Sequence, residues 1–266
     1  MIGQTISHYK ILEKLGEGGM GVVYKARDGR LDRLVAIKFL PSHLSASPEN
    51  KARFLQEAKA TAALSHPNIL SVYDVGESDG SMYLVLELVE GQTLNSFIAN
   101  LKSGSGIPVR QAIAWISEIS QGLKVAHEKN VIHRDVKPHN IMLTGSQQVK
   151  IMDFGLAKLS SDASITKAGT SLGTLSYMSP EQGQGLPVDQ RSDIWSLGIV
   201  FYEMLTTELP FKADHAAGLS YLIINEDPPA PSVLDLKIPH QIDAIVKKML
   251  EKDPAKRYQS MSEVLQ

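Results

Sequence analysis

Apolar residues recur at alternate positions over residues 9–40 and at helical spacing over most of the later chain. Tyr9 to Leu12 lead into a glycine-rich turn, and Val22-Val23-Tyr24 form a β-branched and aromatic run. Asp28-Gly29 mark a second turn before Leu34 to Ile37 return, the pattern of antiparallel strands. A helix is predicted from about Pro48 to Ser65, with Phe54, Ala58, Thr61 and Leu64 on one side. Two more strand-like runs, Ile69 to Val75 and Ser81 to Leu88, are joined by the turn-rich GESDG. After Pro108, a helix-start signal, Ile113, Ile116, Ile119, Leu123 and Ala126 share one face. Residues 193–201 are apolar nearly all round, so that helix should be central. Ile242, Ile245, Val246 and Met249 mark a later amphipathic helix. Strands first and helices afterwards predict an α+β chain: a small antiparallel sheet lobe with one helix, then a larger helical lobe. The cleft between lobes is the expected ligand site.

Composition narrows the classes. The chain has 266 residues, 43% hydrophobic and 21% charged, as in an ordinary globular protein. A formal net charge of -2 with dispersed Lys and Arg argues against nucleic acid or an anionic membrane as partner. The absence of cysteine excludes disulfides, a thiolate nucleophile and cysteine-ligated metal. The first residues lack the apolar core of a signal peptide, and the longest apolar run, near 194–205, is too short for a membrane span. A membrane span beyond Gln266 stays open, because the chain stops within a helical pattern.

The chemistry concentrates in residues 131–143, VIHRDVKPHNIML. Apolar flanks read as short buried strands holding a polar loop. Asp135 could take or orient a hydroxyl proton, Lys137 could neutralise an anion, and Asn140 offers a neutral oxygen to a hard cation. In VKIMDFGLA, residues 149–157, Asp153 follows another apolar run, and two carboxylates one loop apart suit a divalent metal carrying phosphate oxygens. The plain alternative is a solvated turn. His133 and His139 find no further ligand at zinc spacing.

Gly16-x-Gly18-x-x-Gly21 lies between strands, whereas a dinucleotide fold would start a helix at these glycines. A strand–turn–strand flap can close its backbone N–H groups over phosphates. Lys38 ends an apolar strand without an obvious neighbour, and Glu57 sits beside the apolar side of the following helix. The two are candidate partners, since either charge would be costly to bury alone.

These residues resemble a known family. HRDVKPHN (133–140), DFG (153–155), GEGGMG (16–21), VAIK (35–38) and SPE (179–181) are similar, in order and spacing, to the motifs of eukaryotic-type protein kinases, most like the bacterial serine/threonine kinases. The resemblance implies a bilobal kinase fold, with residues 1–86 as the N-lobe, 87–91 as the hinge and 92–266 as the C-lobe. It implies Mg-ATP as cofactor, with manganese as substitute. Asp135, Lys137, Lys38 and Glu57 take catalytic roles, and Asn140 and Asp153 hold the metal. Gly16, Gly18 and Gly21 cover the phosphates with Lys38. Val23, Ala36 and Met142 sandwich the adenine, and backbone groups at Glu87 and Val89 hydrogen-bond it. Thr170, Thr166 and Ser171 fall where related kinases are phosphorylated, and Arg134 would meet such an anion. Thr174, with Lys137-Pro138, points to Ser/Thr acceptors, and Glu181 should pair with Arg257. Thr61 stands where the family packs a bulky apolar residue, so the helix should need help to hold its active position. SPE also departs mildly from the commoner APE. Implied partners are protein substrates and a transient homodimer for trans-autophosphorylation, without nucleic acid or membrane contact. The implied location is the cytoplasm, including as the cytoplasmic part of a longer membrane-anchored protein. A pseudokinase scaffold is the alternative, and a dinucleotide-dependent oxidoreductase a third reading.

Overall fold

Strands β1 (Thr5–Ile6), β2 (Tyr9–Gly18), β3 (Gly21–Asp28), β4 (Arg33–Phe39), β5 (Val72–Ser78) and β6 (Ser81–Glu87) form an antiparallel sheet in the order β1-β2-β3-β4-β6-β5. The structure is a computed structural model that describes residues 1–18, 21–41, 47–101, 106–154 and 172–266. Period-two alternation along β4 sorts its side chains. Val35 and Ile37 join Ile11, Ala26 and Val85 in one buried cluster, while Ala36 joins Leu84 and Leu86 in another. Lys38 is therefore on the Ala36 face, opposite Val23 on β3 and Leu84 on β6. That face is covered by α1 (Pro48–Ala62), which starts with Ser47 accepting the Asn50 N–H and Pro48 in the first turn. Phe54, Ala58, Thr61 and Leu64 are all buried, as their spacing predicts.

The expected hinge residues run from the end of β6 to the start of β7 (Gly91–Thr93). Beyond them lie α2 (Leu94–Ala99), α3 (Val109–Glu128), a 3-10 turn (Pro138–Asn140), β8 (Ile141–Thr144) and β9 (Val149–Ile151). β7, β8 and β9 make a second antiparallel sheet. The expected apolar face of α3 needs one correction. Ala112, Trp115, Ile116, Ile119, Leu123 and Ala126 are buried, but Ile113 is 45% exposed. Trp115 takes the inward position and donates its indole N–H to the Gln147 carbonyl (2.9 Å). The helix Gln190–Thr206 is buried over almost its whole length, as expected, and is capped by the Asp189 side chain. Helices follow at Ala216–Asn225, Pro231–Leu234, His240–Met249 and Met261–Val264. Among the described residues, no helix is long and apolar enough to cross a membrane. The architecture is α+β: a small antiparallel sheet lobe with one helix, and a larger, mainly helical lobe.

Candidate active site

The polar loop before β8 is hung from the central helix Gln190–Thr206. Asp193, buried in its first turn, accepts the His133 N–H (2.9 Å) on Oδ2 and the Arg134 N–H (2.8 Å) on Oδ1. His127, from the end of α3, places Nε2 2.7 Å from Oδ2. Burial alone would raise the Asp193 carboxyl, but these donors outweigh it and hold it below the ordinary carboxylate range. Arg134 is left-handed, with φ 67°, a conformation costly for a residue with a Cβ. The His133 ring then links two loops. Its Nδ1 accepts the Asp135 N–H (3.2 Å), and its Nε2 donates to the Met152 carbonyl (2.8 Å), next to Asp153. The Phe154 ring packs against it with centroids 4.6 Å apart.

This frame gathers six of the sequence-derived site residues, Asp135, Lys137, Asn140, Thr174, Lys38 and Asp153. Lys137 Nζ is 2.9 Å from Asp135 Oδ2 and donates to the Thr174 hydroxyl at 3.3 Å. Asn140 Nδ2 donates both to the Asp135 carbonyl (2.8 Å) and to its carboxylate (2.9 Å). Asp153 also has a left-handed backbone (φ 61°) and receives Lys38 Nζ on both oxygens at 2.7 Å. Asp135, Lys137, Asn140 and Thr174 thus form one contiguous set, and Lys38 with Asp153 forms another.

The Lys38 pairing corrects the sequence reading. Among the described residues, Lys38 pairs with Asp153 and not with Glu57, which is half-buried on α1. Thr61, where a bulky side chain was expected, lies with its hydroxyl 3.5 Å from the Phe154 carbonyl. It lines a cavity of about 20 Å³ with Ala58, Leu70, Val72, Leu84, Leu86, Asp153 and Phe154. Such a void removes packing contacts that would tie α1 to Phe154.

The expected nucleotide contacts separate by backbone chemistry. Gly21 has φ 112°, and a Cβ there would stand 1.8 Å from the Phe39 carbonyl oxygen, so the fold itself requires glycine. At Gly16 and Gly18 a Cβ would meet nothing within 4 Å. Val23 and Ala36 belong to the cleft-side apolar cluster, and Met142 is half-buried on β8. The Glu87 N–H is donated to the Ser71 carbonyl (2.9 Å) and so is already engaged within the protein. The Glu87 side chain pairs with Lys150 at 2.7 Å. Thr166, Thr170 and Ser171 lie outside the described residues.

The expected anchor between Glu181 and Arg257 is formed, with both terminal guanidinium nitrogens on the carboxylate at 2.7 and 2.8 Å. Burial would raise the Glu181 carboxyl, but Arg257 and the Ser192 hydroxyl outweigh it and hold it low. A carboxyl depressed by folding contributes stability that is complete above its ordinary value of 4.5 and is lost as pH falls through the depressed value. Urea unfolding should therefore show stability falling below about pH 4.5, with Asp193 adding to the loss. In Glu181→Gln that acid dependence should be shallower. The variant should also lose roughly 3–5 kcal/mol at pH 7, since Arg257 is left buried without its anion.

Sequence reasoning missed Asp193, His127 and Gln182, whose side-chain amide donates to the Arg134 carbonyl (2.9 Å). The available signal for Asp193 was an acidic residue at the start of an otherwise apolar helix. Buried there, it must meet donors.

Comparison with known proteins agrees with this geometry. The model of the protein kinase domain family matches residues 9–266. Serine/threonine-protein kinase PknB of Mycobacterium leprae is 43% identical over 261 residues, which are 96% of this chain and 42% of that protein. A probable serine/threonine-protein kinase of Clostridium acetobutylicum is 40% identical over 266 residues, 100% of this chain and 40% of that protein. The chain thus spans about two fifths of the length of these curated relatives. The crystal structure of the Mycobacterium tuberculosis PknI kinase domain is similar with a TM-score of 0.81 and 28% identity, covering 100% of this chain and 96% of that one.

Proposed function

This chain belongs to the protein kinase domain family, and from that premise we propose that it transfers the γ-phosphate of ATP to serine and threonine hydroxyls of proteins. The observation that carries the reading is the contiguous set Asp135, Lys137, Asn140 and Thr174 beside the Lys38–Asp153 pair. Phosphoryl transfer asks mainly for placement and charge compensation, and this set offers both. Asp135 orients the acceptor hydroxyl and receives its proton. Lys137, already against Asp135 and Thr174, balances charge on the transferred phosphoryl group. Thr174 narrows the acceptor to Ser or Thr.

Asp153 and Asn140 would hold Mg2+, with Mn2+ as substitute. The donor set fits such an ion: Asn140 spends its Nδ2 on Asp135, which leaves its amide oxygen for a cation. Among the described residues no group of three His, Asp or Glu side chains could hold a metal. A cation here must therefore take much of its oxygen shell from phosphates, as magnesium at nucleotide sites does. When bound, it supplies positive charge to the phosphate oxygens. Lys38 then exchanges Asp153 for the α- and β-phosphates, and Glu57 on α1 becomes its counter-charge.

Glycine substitutions separate fold from nucleotide binding. Gly21→Ala should lower the melting temperature, by roughly 1–3 kcal/mol of strain or more. Gly16→Ala and Gly18→Ala should leave melting alone and raise the KM for ATP, because only a bound phosphate needs that space. Nucleotide titration with thermal melting reads both.

The functional test is transfer of labelled γ-phosphate from Mg-ATP to a basic protein, followed by phosphoamino-acid analysis. Phosphoserine and phosphothreonine are expected. Mg-ATP binding without transfer would instead favour a pseudokinase scaffold, and stabilisation by NAD rather than Mg-ATP an oxidoreductase. Mass spectrometry of the labelled chain tests Thr170, Thr166 and Ser171 as sites modified in trans by a transient homodimer. Cytoplasmic placement accords with the need for ATP and the lack of cysteine.

A further inference from the structure

We propose that Gln182 is a positioning residue for Asp135, clamping the Arg134–Asp135 peptide from the segment that follows residues 155–171. The functional part of this inference rests on the kinase reading above.

Arg134 is the strained residue of the loop, and its neighbouring peptides decide where Asp135 is aimed. The peptide before it is fixed by the bond from the Arg134 N–H to Asp193 (2.8 Å). The peptide after it has two holds. Its N–H reaches His133 Nδ1 at 3.2 Å, and its carbonyl accepts from Gln182 Nε2 at the shorter distance of 2.9 Å.

The Gln182 amide cannot turn over without cost. Its Oε1 accepts the Ser179 N–H (3.0 Å) and lies 3.2 Å from the Ser179 hydroxyl, which in turn accepts the Gln182 N–H (3.3 Å). This is a capping box at the start of the helix Pro180–Gly183, and reversing the amide would set donor against donor. A capping box needs only the oxygen, and Glu would serve it equally well. What the cap does not explain is the nitrogen on Arg134. A glutamate at 182 would bring a carboxylate oxygen against that carbonyl. The clamp is mounted on a firm base, because the neighbouring Glu181 is held by Arg257. Ser179, the departure from the commoner motif, is the other half of the cap.

Three variants separate the clamp from the cap. In Gln182→Glu the melting temperature should fall less than in the variants that break the cap, kcat should fall about tenfold with the KM for ATP unchanged, and exchange of the Asp135 amide should accelerate. Gln182→Met should lose the same activity and also melt earlier. Ser179→Ala should melt earlier with the smaller loss of kcat. Wild-type kcat and unchanged exchange in Gln182→Glu would overturn the clamp, as would kcat that simply follows melting temperature across the series. Inactivity of the wild-type protein would remove the kinase reading. Exchange would still decide the clamp in that case: acceleration in Gln182→Glu supports it, and no change overturns it.

Discussion

Asp153→Asn is expected to abolish phosphate transfer, with a loss on the order of a thousandfold or more in kcat/KM, in a protein that still folds. In the proposed reading the side chain has two jobs that a neutral amide does badly. It would lose the charge with which a divalent cation is held beside the phosphates. It would also leave Lys38, buried on the cleft face of β4, without the carboxylate that now meets it at 2.7 Å on both oxygens. Removing one partner of a buried pair is normally severe. Asn keeps an oxygen for Lys38, however, and this pair is less enclosed than Glu181–Arg257, so the cost to folding should be about 1–2 kcal/mol. Labelled-phosphate transfer reads the activity, and thermal melting with and without Mg-ATP reads folding and binding together. Lys38→Met should behave similarly, with binding weakened through the phosphates rather than the cation. An Asp153→Asn protein within tenfold of wild type would remove Asp153 from the site.

The Lys38 result also shows where reading a chain residue by residue stops. Helical spacing put Phe54, Ala58, Thr61 and Leu64 on the covered face of α1, and the pleat of β4 turns Lys38 to the same side as Ala36. Local periodicity decides both. Which of two carboxylates an ammonium meets depends instead on where a whole helix sits relative to a loop 115 residues away. No local pattern encodes that distance, although Thr61 hinted at it by leaving the packing behind α1 loose. The loop 131–140 was legible because its polar groups are close in sequence as well as in space. Its supports were not, since Asp193 and Gln182 come from elements about 50 to 60 residues away. Gln182 in particular looks like an ordinary helix-start residue until its second bond is seen. On α3 the periodic reading admitted both Ile113 and Ile116, and burial chose Trp115 and Ile116.

Asp135→Asn should lower kcat by about two to four orders of magnitude, the range that a positioned acid or base contributes, with little change in the KM for ATP. Asp135 is not where the phosphates would be held. It sits among donors: Lys137 Nζ and Asn140 Nδ2 both lie 2.9 Å from its Oδ2. An Asn side chain can offer its oxygen to that pair only by turning its NH2 to the other carboxyl position, where it can no longer accept a hydroxyl proton. Turned the other way, it sets an NH2 against Lys137 and Asn140, and the loop must shift. Either orientation costs catalysis, while the backbone bonds to Asp193 and Gln182 keep the fold. Lys137→Ala supplies the contrast, since it removes charge without removing the base. If Asp135 and Lys137 act as one unit, the double variant should lose much less than the product of the two single losses. Multiplying losses would mean that the two act independently, and an Asp135→Asn enzyme with wild-type kcat would mean that the proton leaves by another route.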